Sequence, residues 1–304
     1  MSQGRENKAL VRRVLGKHFS KDENRVRLFS LFEKMGIHIT PVHFYYPVPS
    51  LKDLDDKTWE TPFSEQPVNF DITEAIDLLK ELQSYQHELS GIGDYAADDQ
   101  TFYWNNDSFN ACDASVYYAM IRHFKPKRIV EIGAGFSTLM ACKAAQLNDN
   151  TRISVIEPYP RSFLENLPGI SELRVAKLQD IALDYFDGLE NGDFLFIDST
   201  HVSKIGSDVN YEILRILPRL KPGVFIHFHD IYLPYDMPKS WIKGKLFFWN
   251  EEYLIQALLQ GGNNYRTIMP IHYLSTAVQQ ELGKVVGCNL PEYDGGSYWI
   301  RKNL

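Results

Sequence analysis

The chain has 304 residues, a net charge of −7, and 44% apolar and 23% charged residues, the profile of an ordinary globular protein. The acidic balance argues against a general nucleic-acid binder, and no stretch approaches the roughly 18 apolar residues of a membrane span. Cys112, Cys142 and Cys288 are few, odd in number and outside any Cys-x-x-Cys pair, which points to reduced thiols in the cytoplasm and away from disulfides or structural zinc.

In chain order, the polar start Met1–Asn7 does not read as a secretory signal. Helical spacing follows over 6–18, through Leu10, Val11, Val14 and Leu15, and over 22–35, through Leu28, Leu31, Phe32 and Met35. The proline- and aromatic-rich run from Pro41 to Pro49 cannot continue a helix or a central strand and is expected to lie extended over another surface. Residues 71–89 form an amphipathic helix with Ile72, Ala75, Ile76, Leu79, Leu82 and Tyr85 on one side. Asp71 caps it, and Glu74 three residues on suggests a capping box. A loop over 91–107 carries the aromatic knot Phe102-Tyr103-Trp104, and a helix over 109–124 leads to the first strand.

From 128 onward strands and helices alternate. Strands are expected at 128–132, 152–156, 172–176, 193–197 and 223–228, with helices near 137–147, 160–166, 178–187 and 205–219. A further helix at 250–260 and strands at 266–271 and 296–302 complete the series. Such alternation predicts an α/β fold, a Rossmann-like, mostly parallel seven-stranded sheet covered on both faces and closed by a C-terminal antiparallel hairpin. The chain thus divides into a mainly helical N-terminal extension, 1–108, and an α/β domain, 109–304. An extension of that size suggests a large acceptor or a contact with a second copy of the chain.

The first strand runs into Glu131-Ile132-Gly133-Ala134-Gly135-Phe136-Ser137-Thr138. Two glycines let the backbone approach a nucleotide-like ligand closely. The third glycine of a dinucleotide fingerprint is replaced by Thr138, and the Glu131 carboxylate would repel a pyrophosphate while attracting the cationic amino-acid end of S-adenosylmethionine (SAM). A dinucleotide-dependent oxidoreductase or epimerase remains the alternative for this turn. Glu157 ends the second strand 22 residues after Gly135, where a carboxylate can accept hydrogen bonds from ribose hydroxyls. Ser137 and Thr138 are placed to donate toward a carboxylate or simply to start the helix.

The fourth strand ends in Asp198-Ser199-Thr200-His201 and the fifth in His227-Phe228-His229-Asp230. Both deliver polar groups to the C-terminal edge of the sheet, where open α/β folds bind ligands. Asp198 and Asp230 on neighbouring strand ends can converge, and two close carboxylates call for a proton or a divalent cation between them. His201 is the expected base, since imidazole titrates near neutral pH. The loop that follows carries Tyr232, Tyr235 and Trp241, whose rings could stack on an acceptor or form a lid.

The Glu-x-Gly-x-Gly turn resembles motif I of the class I SAM-dependent methyltransferases, and with the seven-strand pattern this resemblance covers about 120–304. It implies SAM as methyl donor, and it implies that Asp180, after the third strand, meets the adenine amino group. Asp198, His201 and Asp230 further resemble the metal-dependent sugar O-methyltransferases of the mycinamicin and macrocin type. There an Asp after strand four and an acidic pair after strand five bind magnesium, and a His three residues beyond the first Asp acts as base. His229 departs from the pattern by replacing the first acid of the pair. A His ligand suits Mn²⁺, Fe²⁺ or Zn²⁺ better than Mg²⁺, and His229 is alternatively a second base or a substrate contact; the alternative to a metal is a metal-free site in which Asp198 contacts the cofactor or substrate and His201 does the proton work. The resemblance implies O-methylation of a hydroxyl on a sugar, glycan or glycosylated metabolite, with a small phenol as the other acceptor class.

Overall fold

A computed structural model describes residues 22–303. The chain divides into two compact units at Asp56/Lys57. The helix expected over 6–18 lies outside the described residues. In the first unit, α1 spans Asp22–Glu33 and buries none of its residues. Val42, Phe44 and Tyr45 of the proline-aromatic run are exposed within this unit.

The second unit begins well before the expected boundary at 108/109, and packing explains why. Helix α2, Ile72–Leu82, starts where expected, with the Asp71 carboxylate accepting from the backbone N–H of Thr73 and Glu74. It buries Ala75, Leu79 and Leu82 in the same core as Trp104 and Phe109. Stripping those side chains of cover would cost several kcal/mol, so 57–108 forms part of the α/β unit. The Glu74 side chain pairs with Arg266 at 2.8 Å, which leaves the capping box half formed. Helix α3, Ala111–Phe124, is capped by Asn110 and runs almost entirely buried beneath the sheet.

The sheet has seven strands: β1 Arg128–Ile132, β2 Arg152–Ile156, β3 Ile170–Arg174, β4 Phe194–Ile197, β5 Phe225–Phe228, β6 Tyr265–Pro270 and β7 Tyr298–Lys302. Their order is β3-β2-β1-β4-β5-β7-β6, parallel except where antiparallel β7 inserts between β5 and β6. The order reverses between β1 and β4, and a crevice opens there. Helix α4, Phe136–Ala145, follows β1 as expected. The stretch 178–187 forms only short 3₁₀ turns, and 205–219 is a single α turn running into a π-helical segment and a 3₁₀ turn. Pro218 explains the frayed end of the latter. Helix α5 is Glu251–Gln260. The β6–β7 pair is no tight hairpin, because α6 (Ile271–Ala277) and α7 (Gln279–Gly283) lie in its connection. Among the described residues, no helix is long and apolar enough to cross a membrane.

Glu131, fully buried in β1, ties the first layer together. One carboxylate oxygen accepts from Tyr117 of α3 at 2.8 Å and the other from Thr138 of α4 at 2.6 Å. Burial pushes its pKa up to about 7 against the pull of those two hydrogen bonds. An acid raised in the folded state favours folding while protonated, so its contribution falls as pH rises from the ordinary carboxylate range to about 7, then levels off. Relative to Glu131→Gln, the wild type should lose about 3 kcal/mol between about pH 4 and about pH 8. Denaturant unfolding of both proteins across that range measures it; parallel curves would refute the assignment.

Candidate active site

The backbone ladder continues one residue beyond each central strand. Gly133 N–H donates to the Ile156 carbonyl, Asp198 N–H to Ile132 and His229 N–H to Ile197, at 2.8–3.0 Å. The functional residues are therefore held by the sheet itself. Gly133 has a φ of +80°, and a Cβ there would fall 1.9 Å from the Asp198 carbonyl oxygen. Only glycine lets the β1 turn pass the end of β4 so closely. At Gly135, by contrast, a Cβ would meet nothing within 4 Å.

A cavity of about 540 Å³ opens at this reversal point, lined by Gly133, Glu157, Leu178, Gln179, Asp198 and Thr200 among others. Glu157 is pinned by the backbone N–H groups of Ala134 and Tyr159, at 3.2 and 2.8 Å. Gly133, Glu157 and Asp198 thus meet at one cavity. Glu131, Gly135, Ser137, Thr138 and Asp180 are not among its lining. Glu131 faces the interior, and Thr138 braces the turn, accepting from Gly135 N–H at 3.2 Å while donating to Glu131. Ser137 is buried. Asp180 is exposed on its 3₁₀ turn, and its neighbours Leu178 and Gln179 line the cavity.

At the rim Asp198, His201, His229 and Asp230 converge. His201 Nε2 lies 3.2 Å from Asp198 Oδ1 and 3.9 Å from Asp230 Oδ2. His229 Nδ1 lies 3.5 Å from Asp198 Oδ1 and 3.6 Å from Asp230 Oδ1. Both rings are about 95% buried, with side-chain exposures of 6% and 5%. His201 and Asp230 also share an unusual backbone, with φ of +58° and +56°. Residues held in the left-handed region by their surroundings concentrate at functional sites.

The charges are mutually supporting. Burial alone would lower His201, but Asp198 and Glu251 outweigh it and push its pKa up to about 10. His229 is likewise raised, its burial overcome by Asp230, Asp198 and Asp113. Burial would raise Asp198, yet the two imidazoles hold it well below the usual range; burial raises Asp230. Protonated histidines therefore balance the carboxylates. Asp198, His201 and Asp230 each offer a ligand atom, all within 4.8 Å of one another. Neither ring nitrogen of His229 makes a hydrogen bond, although both are buried. Its Nδ1 faces the carboxylates, while Asp113 Oδ2 stands 3.6 Å behind Nε2. A carboxylate behind the far nitrogen is the usual setting of a metal-bound imidazole. The residues present therefore fit a divalent cation.

The aromatic loop joins this rim. Trp249 lies over His201 with ring centres 4.4 Å apart, Trp241 packs on Trp249 at 5.5 Å and Tyr232 on Trp241 at 5.7 Å. Tyr232 and Tyr235 both pack on His272, which pairs with Asp294 at 2.8 Å. Tyr232, Tyr235 and Trp241 thus share one cluster beside this rim. Sequence reasoning missed Asp113, Trp249, Glu251 and His272. Asp113 and Glu251 sit in first helical turns, where acids are common for reasons of the helix dipole alone, and no local pattern sets them apart.

Gly133 and Gly135 separate fold from ligand. Gly133→Ala should lower both thermal stability and SAM affinity. Gly135→Ala should leave the melting temperature unchanged and weaken SAM by at least about tenfold, or 1.4 kcal/mol. Calorimetric titration with thermal denaturation checks both; unchanged SAM binding in Gly135→Ala would mean that the ligand does not approach this turn.

A family model described as a methyltransferase domain matches residues 130–231, from β1 to just past β5. An uncharacterised protein of Archaeoglobus fulgidus is 34% identical over 180 residues, covering 53% of this chain and 78% of that protein. Among solved structures, the O-methyltransferase TomG of Streptomyces achromogenes, from tomaymycin synthesis and in complex with SAM, is 19% identical with a TM-score of 0.41. That match covers 80% of this chain and 94% of TomG. An O-methyltransferase from Bacillus cereus in complex with SAH is 16% identical with a TM-score of 0.37, covering 74% and 91%. Both structural likenesses are distant. With a methyltransferase domain lying over the central strands and the glycine turn, the chain belongs to one family with the archaeal protein.

Proposed function

We propose that the protein transfers the methyl group of SAM to a hydroxyl of a sugar, glycan or glycosylated metabolite in the cytoplasm. The observation that carries this reading is the convergence of two carboxylates and two imidazoles at the rim of the cavity expected to hold SAM, with Asp198 common to both. A hydroxyl is a poor nucleophile and needs proton removal, alignment with the sulfur–methyl bond and shelter from water. His201 Nε2 takes the proton. The aromatic cluster of Tyr232, Tyr235, Trp241 and Trp249 offers ring faces to a sugar and excludes water, and the His272–Asp294 pair adds polar groups for its other hydroxyls. Asp198, Asp230 and His229 would hold the divalent cation, Mn²⁺ or Mg²⁺. Bound there, the cation would neutralise the two carboxylates, free His201 of the proton it otherwise keeps, and acidify the hydroxyl. Cys112, Cys142 and Cys288 are all free thiols, which agrees with a reducing compartment.

The test is mass spectrometry of a polar and glycan extract from the host, incubated with the protein, Mn²⁺ or Mg²⁺ and methyl-deuterated SAM. A labelled saccharide supports the proposal. Label in a small phenol keeps the hydroxyl chemistry and overturns the sugar. His201→Ala should lower kcat by about 10²–10⁴-fold with SAM affinity intact; wild-type turnover in that variant would remove His201 as the base. Chelation should abolish turnover, and added Mn²⁺ or Mg²⁺ should restore it.

A further inference from the structure

The assignment of His201 as base leaves open what aims its ring. The residue sits on a loop, outside any strand or helix, with a left-handed backbone. A base must be held within a fraction of an ångström of its working position, so some other element has to fix it. That element is the start of α5. The backbone N–H groups of Asn250 and Glu251 both donate to the His201 carbonyl, at 3.0 and 3.2 Å. The Asn250 side chain accepts from Ser203 N–H at 2.6 Å, which holds the loop on the far side. Trp249 covers one face of the ring. Glu251, with a side-chain exposure of only 2%, places Oε2 3.0 Å from His201 Nδ1.

We propose that Glu251 is the positioning residue of His201. Its carboxylate accepts the Nδ1–H, which fixes the tautomer and directs Nε2 into the cleft between Asp198 and Asp230. The chemistry favours Glu251 over any other carboxylate for this task. Asp198 and Asp230 face Nε2, on the reacting side of the ring. Glu212 is also buried, but its carboxylate accepts from the Ser199 hydroxyl, at 3.3 Å, and does not meet the imidazole. Of the two Glu251 carboxylate oxygens, Oε2 is met by the ring nitrogen, while Oε1 is buried without a hydrogen-bond partner, so the imidazole is what this buried acid is turned toward. Glu251 touches neither donor nor acceptor in this arrangement; it acts through His201. The inference rests on the reading of His201 as base.

The test has a readout that needs no acceptor. In the full chain with ¹⁵N-labelled histidine and bound S-adenosylhomocysteine, the His201 Nδ1–H proton should resonate far downfield. It should be identified by its loss in His201→Gln. Glu251→Met should abolish it and Glu251→Gln should move it upfield, while Glu212→Gln leaves it in place. The Gln variant decides the matter if the Met variant does not fold. A signal that survives unshifted in both Glu251 variants, or that Glu212→Gln removes equally, overturns the proposal. Once the labelled-methyl screen has identified an acceptor, Glu251→Gln should lower kcat about 10–100-fold with KM for SAM unchanged; an unchanged kcat also overturns it. If that screen finds no product, the proton signal still decides for or against Glu251, so the two readings fail separately.

Discussion

Two carboxylates at the ends of adjacent parallel strands cannot both remain charged at close range without positive charge between them. Register makes the encounter unavoidable. β4 pairs with β5 from Phe194–Phe225 to Ile197–Phe228, so Asp198 and His229 emerge side by side and Asp230 one residue further on. The surrounding structure supplies the opposing charge. His201 returns over Asp198 from the loop after β4, and His229 rises between both acids from β5. Each imidazole is in turn backed by a buried acid, Glu251 behind one and Asp113 behind the other. The result is an alternation of acid and base in which no member could be removed without stranding a buried charge.

The same edge explains the demands on the β1 turn. Because Asp198 continues the ladder beside Ile132, the turn after β1 must pass against the Asp198 backbone, and only a glycine at 133 can do so. Glu131, one turn inward, contributes from the interior side by joining α3 and α4 to the strand that carries the turn. Its two hydrogen bonds hold the scaffold. Its place in the strand alternation makes this intelligible: Val130 and Ile132 face one side of the sheet, so Glu131 between them faces the other, toward Tyr117 and Thr138.

The legible part of the molecule was that with local causes. The strand ends at 132, 197 and 228 could be read from short apolar runs that break into polar residues, and the observed strands end at those positions. The Asp71 cap and the start of α2 follow from one side chain and two backbone groups three residues apart. The misreadings fall where packing outweighs local preference. Residues 178–187 have apolar spacing suited to a helix but form 3₁₀ turns, and the β6–β7 connection hides two short helices behind glycines and polar residues. The domain boundary was drawn where the α/β alternation begins, yet α2 and Trp104 share the core of the sheet, a fact that no composition shift announces.

The amino-acid sequence by itself determined the parallel sheet, the glycine turn and the delivery of Asp198, His201, His229 and Asp230 to one edge. Period, glycine placement and strand-end chemistry are properties of contiguous residues. Only the tertiary structure decided which groups stand behind the two histidines. Glu251 reaches His201 across 50 positions and Asp113 reaches His229 across more than twice that span, each from the first turn of a helix that looks ordinary along the chain. Their burial, and so the strength of their hold on a ring nitrogen, exists only after the helices have packed and excluded water.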